Sequence, residues 1–412
     1  MSFYSSGQIR SELIEPVVHN ENDRSEFRIR GTVLSNLKIL NLGRLGTATE
    51  GNYNALTGAL GGVRNVYLYD GKTLLTGMRN FNDYIAFKNI KGSNADHAEV
   101  DRFLLRHQIG YQNNYLQSET KYARKTAIKN DLNANTVPAT DTSNNAERAY
   151  LQLKACMVML QSVEVLSENV FPQLRLVIEY DSRKPRSLKK TNIAASSNCR
   201  PLLAVDRVMD EKMANQMVNE IQSFSWSEYE YDQINVTAAT NGVTSLTNKR
   251  LLGFNGKFLD RMRIRKGFAS ASDQEAGNSV VGYGANASFN CYQEKFQVRV
   301  NGRSLFPRSG LEGSNRKLAM LHDSYGSVNI KEDDNAVLIA ACPNHTDSTA
   351  GAGNHFGVAI GERIDDLQVE FSRTGKTSTA PSPHIAALNL MVEGEVIKQL
   401  SFSNGKYLIS YA

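Results

Sequence analysis

Five short turn signals divide this 412-residue chain: Asp70-Gly71, Asn241-Gly242, Asn255-Gly256, Asn301-Gly302 and Asn404-Gly405. Asn-Gly and Asp-Gly suit two-residue hairpin turns. Both central residues take positive φ there, and the twist of the turn matches that of paired strands. Three of the five have strand patterns on both sides. Phe296, Val298 and Val300 alternate with polar residues up to Asn301-Gly302. Ile397, Leu400 and Phe402 run into Asn404-Gly405, and Tyr407, Leu408, Ile409 and Tyr411 leave it. Val66, Leu68 and Tyr69 lead to Asp70-Gly71, with Leu74 and Leu75 beyond. Asn241-Gly242, in a Thr/Asn-rich stretch, reads as a surface loop, and Asn255-Gly256 as a hairpin before a basic strand. The pattern predicts a chain built mainly from antiparallel strands.

Length then sets the number of units. A chain of 412 residues is too long for one ordinary β-sandwich and long enough for two. A hydrophobic fraction of 41% with 22% charged residues is that of a folded chain, and a net charge of +5 permits an anionic partner without requiring one. Cys156, Cys199, Cys291 and Cys342 form no C-x-x-C pair, which argues against a zinc ribbon or a disulfide framework and for synthesis in a reducing compartment. Residues 1–10 lack the apolar core of an export signal, and no run of about 18 apolar residues is present, so neither export nor a membrane-spanning helix is expected. The sequons at Asn235, Asn286 and Asn344 read as chance matches in an Asn-rich chain.

Along the chain, residues 1–26 read as a polar arm. Strand signals begin at Phe27 and continue, around a Gly-rich stretch near residues 43–62, through residues 63–69 and 84–90. Apolar spacing predicts helices over residues 97–108 and 147–166, the second carrying Leu153, Cys156, Met157, Leu160 and Val163 on one face. Residues 129–146 read as a polar loop. The strand 174–180 follows, and then a basic, Ser/Asn-rich stretch bounded by prolines, which we read as a linker. A helix is expected to restart at Asp206 as N-cap, with Met209, Met213, Met217, Ile221 and Phe224 along one side. Strands are expected over residues 258–264, 288–300, 336–342, 356–360, 367–371, 385–392 and 396–402, with a short helix at 316–322. The boundaries drawn are an arm at 1–26, a first β unit at 27–182, a linker at 183–205 and a second β unit at 206–412.

Catalytic chemistry is sparse. Cys342, His345, Asp347 and His355 match no metal spacing and read as a solvated loop. There is no G-x-S-x-G elbow and no phosphate loop; the glycines at 351, 353 and 357 read as turn formers. Asp333/Asp334 and Asp365/Asp366 are sequence neighbours, which on a strand point to opposite faces and cannot act as a glycosidase pair. No catalytic, cofactor-binding or metal residue is assigned, and the chain is expected not to be an enzyme. Two basic clusters remain. Arg183, Lys184, Arg186, Lys189 and Lys190 suit a solvated linker, weak nucleic-acid or headgroup contact, or nuclear import. Arg261, Arg263, Arg265 and Lys266 alternate with Met262 and Ile264, predicting a strand with its basic face outward. Trp226, with Phe224, Tyr229 and Tyr231, reads as core or interface packing, and the methionines of the 209–217 helix as core.

Several phrases carry a resemblance. They are Val66-Tyr-Leu-Tyr-Asp-Gly71 with Leu74-Leu75, the segment 147–166 running into Leu174-Arg-Leu-Val-Ile-Glu-Tyr-Asp181, and Tyr292 with Phe296-Gln-Val-Arg-Val-Asn-Gly-Arg-Ser-Leu-Phe-Pro307. In these the chain resembles the double jelly-roll major capsid proteins of polinton-like viruses and virophages, in the wider lineage of adenovirus hexon. The resemblance implies two side-by-side eight-stranded jelly-roll sandwiches with a few short helices. It implies a homotrimer with a pseudo-hexagonal outline that tiles an icosahedral virion shell with penton and minor capsid proteins, often over an internal lipid membrane. It also implies synthesis in the host cytoplasm, with assembly there or in the nucleus. The alternative from another class is a β-sandwich glycan-binding or fibre/spike protein, which would need a compact aromatic and polar site.

Overall fold

The structure, a computed structural model, describes residues 8–20, 23–40, 63–81, 84, 150–180, 200–219, 221, 223–268, 292–312, 314–325, 355–375, 387–403 and 406–412. The described strands form four antiparallel sheets, which pack as two sandwiches. In one sheet of the first sandwich, β1 (Ile9–Ile14) pairs with β11 (Leu202–Val208). The other side of β11 meets β4 (Thr32–Leu34) and β5 (Lys38–Leu40), which pair with β9 (Val165–Ser167) and β8 (Tyr150–Gln152). The facing sheet runs β2 (Val18–His19), β3 (Arg24–Arg28), β10 (Leu174–Tyr180), β6 (Val63–Asp70), β7 (Thr73–Met78). With β4/β5 and β8/β9 each counted as one interrupted strand, and the two-residue β2 as a hairpin addition to the edge of β3, the second strand, there are eight. Their order is first-eighth-third-sixth in one sheet and second-seventh-fourth-fifth in the other.

The second sandwich repeats that order strand for strand. One sheet runs β12 (Phe224–Val236), β20 (Leu388–Ser403), β14 (Phe258–Phe268), β18 (His355–Arg363), with β21 (Lys406–Tyr411) added beside β20. The other runs β13 (Thr244–Arg250), β19 (Leu367–Thr374), β15 (Tyr292–Val300), then the short pair β16 (Arg303–Ser304) and β17 (Leu311–Glu312). Three helices are described: α1 (Val158–Ser162), α2 (Glu211–Asn219) and α3 (Ser314–Tyr325).

Period-2 alternation explains each core. On β19, Leu367, Val369 and Phe371 point inward and meet Val300, Val298 and Phe296 across the ladder, with the two phenylalanine rings 4.7 Å apart. In the first sandwich, Val66 and Leu68 of β6 oppose Ile178 and Leu176 of β10, all fully buried. On β14, Leu259 and Met262 are three residues apart yet both buried in the same core. A bulge between Leu259 and Arg261 shifts the phase of the strand by one.

Several expectations are corrected. Residues 9–14 are not an arm; they are the first strand of the first sandwich. Residues 202–208 are neither linker nor helix start, but its eighth strand. Asp206 lies in that strand, where its carboxylate takes the Ser11 hydroxyl and the Asn36 amide, each at 2.6 Å. The N-cap of α2 is Asp210, which accepts the N–H groups of Lys212 and Met213 at 2.8 and 3.2 Å. The segment 147–166 is not one helix. From residue 150 it reads β8, one 3-10 turn, α1 and β9. Leu153, Cys156, Met157, Leu160 and Val163 are buried as their spacing suggested, but β5 and β4 capture the ends of the segment as strand. Residues 385–392 and 396–402 are not separate strands. Gly394 marks no turn: a Cβ there would lie 2.4 Å from the Phe254 ring, so the glycine admits that ring against an unbroken β20.

Of the turns, Asn301-Gly302 is the predicted hairpin, with φ of 50° and 80° between the paired Val300 and Arg303. Ser403 pairs with Lys406 around 404–405, which lie outside the described residues. The β6–β7 hairpin closes on Asp70 with Thr73, so its loop is Gly71-Lys72, one residue later than expected. Asn255-Gly256 is not a hairpin, because it joins β13 to β14 in different sheets. The predicted helix 97–108, the loop 129–146 and the strand 336–342 lie outside the described residues.

Candidate functional site

The feature with most chemistry is the seam where the two sandwiches meet. β12 and β20 are 13 and 16 residues long, roughly 40 and 50 Å of strand at 3.3 Å per residue. That exceeds the depth of one core. Ile234, Val236, Leu390 and Val392 belong to the second core, whereas Trp226 and Leu400 are buried in the first. The same two strands therefore cross from one hydrophobic core to the other. Phe224 packs on Trp226 with ring centroids 5.5 Å apart, Tyr229 on Tyr84 at 5.5 Å, and Tyr407 on Phe171 at 5.0 Å.

At the crossing the edge of β7 meets β12. Gly77 of β7 donates its N–H to Glu228 Oε1 at 2.8 Å. Glu228 Oε2 accepts the Trp226 indole N–H at 2.9 Å and faces Lys398 Nζ at 3.2 Å. An exposed sheet edge would leave that N–H free to pair with another chain; a carboxylate caps it here. Burial pushes the Glu228 carboxyl above its ordinary value, against the pull of Lys398, Trp226 and Gly77. Two residues on, burial also acts to raise Glu230, but the Tyr411 hydroxyl at 2.7 Å and Lys257 at 3.1 Å hold it below the usual range. Tyr407 donates to Asp70 Oδ2 at 2.7 Å, a second bond between the sandwiches, and burial and that carboxylate raise its phenol.

The predicted basic strand β14 lies beside this seam, and its basic face is not outward. Met262 and Ile264 are inward as expected, but Arg263 and Arg265 are 2% and 5% exposed. Arg263 is held by Glu393 of β20, with Nε to Oε2 at 3.0 Å. Arg261, about a third exposed, reaches Glu395 at 3.0 Å and Asp260 at 2.8 Å, and donates to the Ser324 carbonyl of α3 at 3.2 Å. Tyr229 donates to the other Glu395 oxygen at 2.7 Å; burial first, then that carboxylate, push its phenol well up. The acids were missed in the sequence, though a signal was present: Glu393-Gly-Glu395 lies opposite Arg261-Met-Arg263 on the neighbouring strand, and Glu228 and Glu230 of β12 meet Lys398 and Lys257. A further buried pair, Lys317 of α3 with Glu294, lies under Phe296.

Most of the remaining predicted groups lie outside the described residues. Cys342, His345 and Asp347 lie outside the described residues, as do Arg183, Lys184, Arg186, Lys189 and Lys190; His355 lies on β18. Lys266 lies on β14. Among the described residues no group of three or more His, Cys, Asp or Glu side chains is arranged to hold a metal, and no helix is long and apolar enough to cross a membrane. Asp365 and Asp366 form a turn whose N–H groups are capped by Asn301 Oδ1 at 2.8 and 3.0 Å.

No protein-family model and no curated protein matches the sequence. Solved structures do match. The PBCV-1 protein VP54, fitted into a cryo-EM reconstruction of the virophage Sputnik, superposes with a TM-score of 0.51 at 12% identity, over 100% of this chain and 99% of that one. The cryo-EM structure of the Sputnik virophage gives 0.52 at 8% identity, over 100% and 90%. The Faustovirus major capsid protein gives 0.50 at 8% identity, over 98% and 92%. The chain has the double jelly-roll fold. The double jelly roll accounts for the seam: one chain carries two like sandwiches, and the bonds of Glu228 and Tyr407 and the burial of Trp226 in the first core join them within the chain.

Proposed function

We propose that this chain is the major building block of an icosahedral viral shell. The observation that carries the reading is the pairing of two sandwiches of identical strand order in one chain, matched over almost its full length by structures that include a major capsid protein. In this reading three copies associate as a ring of six sandwiches, a pseudo-hexagonal capsomer, and capsomers tile the shell. Penton and minor capsid proteins fill the remaining positions, and an internal lipid membrane or nucleic acid, the latter through the basic segment 183–190, are further partners. The protein resides in the virion after synthesis in the host cytoplasm, with assembly there or in the nucleus. Its role is structural, not enzymatic.

Glycan binding would need accessible aromatic faces. Tyr67 and Tyr69 stand 5.8 Å apart on the outer face of the first sandwich, but Tyr67 is nearly buried and Arg175 lies over the Tyr69 ring at 5.2 Å. These rings are engaged within their own sheet, which favours the shell reading. Light scattering and electron microscopy of the purified chain test it. A trimer-sized species with a triangular or hexagonal outline is expected, and a monomer at every concentration would overturn it.

A further inference from the structure

Within the chain, β12, the first strand of the second sandwich, lies against α1 and against the edge of β7, the fifth strand of the first. Because both sandwiches share one strand order, the complementary pair of edges remains over. One is β1, the first strand of the first sandwich, which among the described residues pairs only with β11. Its surface continues into exposed apolar residues: Leu13, Val17 and Val18 are 61%, 64% and 41% exposed. The other is the fifth-strand edge of the second sandwich. There β16 and β17 are two residues each, and the chain between them is held on β15 by the Leu305 N–H to the Val298 carbonyl at 2.9 Å and by the Gln297 side chain to Phe306 and Pro307. Beside that chain, on the outer face of the sheet, lies an open groove of about 380 Å³ lined by Lys295, Arg299, Ser304, Arg308 and Glu370. Arg299 pairs with Glu370 at 3.3 Å and Lys295 with Glu312 at 3.6 Å, whereas Arg308 is exposed and makes no ion pair among the described residues.

We infer that the β1 edge of one copy seats in this basic groove of the next copy, and this rests on the three-chain ring proposed above. A head-to-tail ring closes only if every contact turns the chain in the same sense by the same angle. Six like sandwiches satisfy that when the contact between copies reuses the edges already joined within each copy, first strand against fifth. The chemistry follows the same template. In the seam, β12 brings apolar residues, Phe224 and Trp226, and then an acid, Glu228, to the β7 edge. At the copy-to-copy contact, β1 brings Leu13, with Glu15 and Val17 just beyond, to a groove of three cations and one acid. Glu15 is 67% exposed, in a surface pair with Arg200 at 3.0 Å, and is placed to exchange that partner for Arg308.

Full-length protein tests this by light scattering and by oxidation of an introduced Leu13→Cys/Arg308→Cys pair, with each single cysteine as control. Leu13→Asp and Arg308→Glu are expected to lower the trimer association constant roughly tenfold or more each, with the circular dichroism spectrum of the folded chain unchanged. Glu15→Arg combined with Arg308→Glu is expected to restore it, and only the double-cysteine protein should give covalent trimers. A trimer that is indifferent to both single variants and is not cross-linked by the pair would overturn this contact while leaving the shell reading intact. A wild-type chain that is monomeric at all concentrations would overturn both.

Discussion

The two sandwiches share one strand order but are built differently along their length. In the first, the third and sixth strands are each broken in two, as β4/β5 and β8/β9, by a loop and by α1 with its 3-10 turn. No segment there runs longer than the eight residues of β6. In the second, the corresponding strands β14 and β18 are continuous, and β12 and β20 overrun the core. Short segments can end where their own core ends. A continuous strand of 13 or 16 residues must bury its surplus somewhere, and here the surplus is the seam. The charged rungs lie on or beside that surplus: Glu228, Lys398, Arg263, Glu393 and Glu395 are buried on the second sandwich, while the first contributes an apolar receptor and a backbone N–H. The first core is therefore completed by side chains of the second sandwich, whereas the second core contains no residue of the first.

That asymmetry is easiest to break at Trp226. Trp226→Ala empties a site in the first core and removes a donor to Glu228, and is expected to cost about 3–5 kcal/mol. Trp226 is the only tryptophan, so urea unfolding followed by tyrosine fluorescence and by circular dichroism is the measurement, and it should then give two separate transitions, with the first sandwich melting first. A single coincident transition would mean that the sandwiches are not coupled through this residue. Arg263→Met comes next. It leaves Glu393 buried beside the seam without its cation and should cost about 3 kcal/mol, most of it recovered in the double variant Arg263→Met/Glu393→Leu. If the double variant is no better than the single one, the pair acts through other groups.

The sequence carried the β class, the two-sandwich count and, in the second sandwich, β14, β15, β18, β19 and β20, whose apolar alternation is clear; β12 and β13 were not among the expected strands, and the expected helix ran on to Phe224, which begins β12. It misled where strands are short. Leu153, Cys156, Met157 and Leu160 are all buried, yet their spacing resembles a helix because the chain enters the core through single turns between two three-residue strands. Residues 9–14 read as an arm because an edge strand with exposed Arg10, Ser11 and Leu13 shows little alternation. The seam was half legible. Arg261, Arg263 and Arg265 stood out, but alternation alone cannot distinguish a solvated charged face from one covered by acids of a strand about 130 residues away.

A smaller effect compares two turn asparagines. Asn301 sits at positive φ and its side chain caps the N–H groups of Asp365 and Asp366, so Asn301→Ala should cost about 1–2 kcal/mol. Asn241 links β12 to β13 in a turn where Gly242 alone takes positive φ, as in a type II turn. Asn241→Ala should change stability by less than about 0.5 kcal/mol. Equal losses at both sites in thermal unfolding would show that the Asn301 cap contributes nothing of its own.

The finest contrast is between Glu228 and Glu230, two residues apart on β12 with carboxyls displaced in opposite directions. Glu228 is raised by burial. Its contribution to stability is present below the unfolded carboxyl value and declines as pH rises through its folded value. Glu230 is held low by Tyr411 and Lys257, so its contribution is present above the unfolded value and is lost as pH falls through the folded one. Glu228→Gln should therefore gain on the wild type as pH rises from about 4 to 8, and Glu230→Gln should fall behind it over the same range. Absolute stabilities also reflect the partners left behind, Lys398 in one case and Lys257 in the other, so the slope with pH is the quantity that decides. Slopes of the same sign would mean that Glu228 is not governed by its burial at the seam. Opposite slopes would show that one strand carries both a desolvated acid facing the first sandwich and a paired acid serving its own.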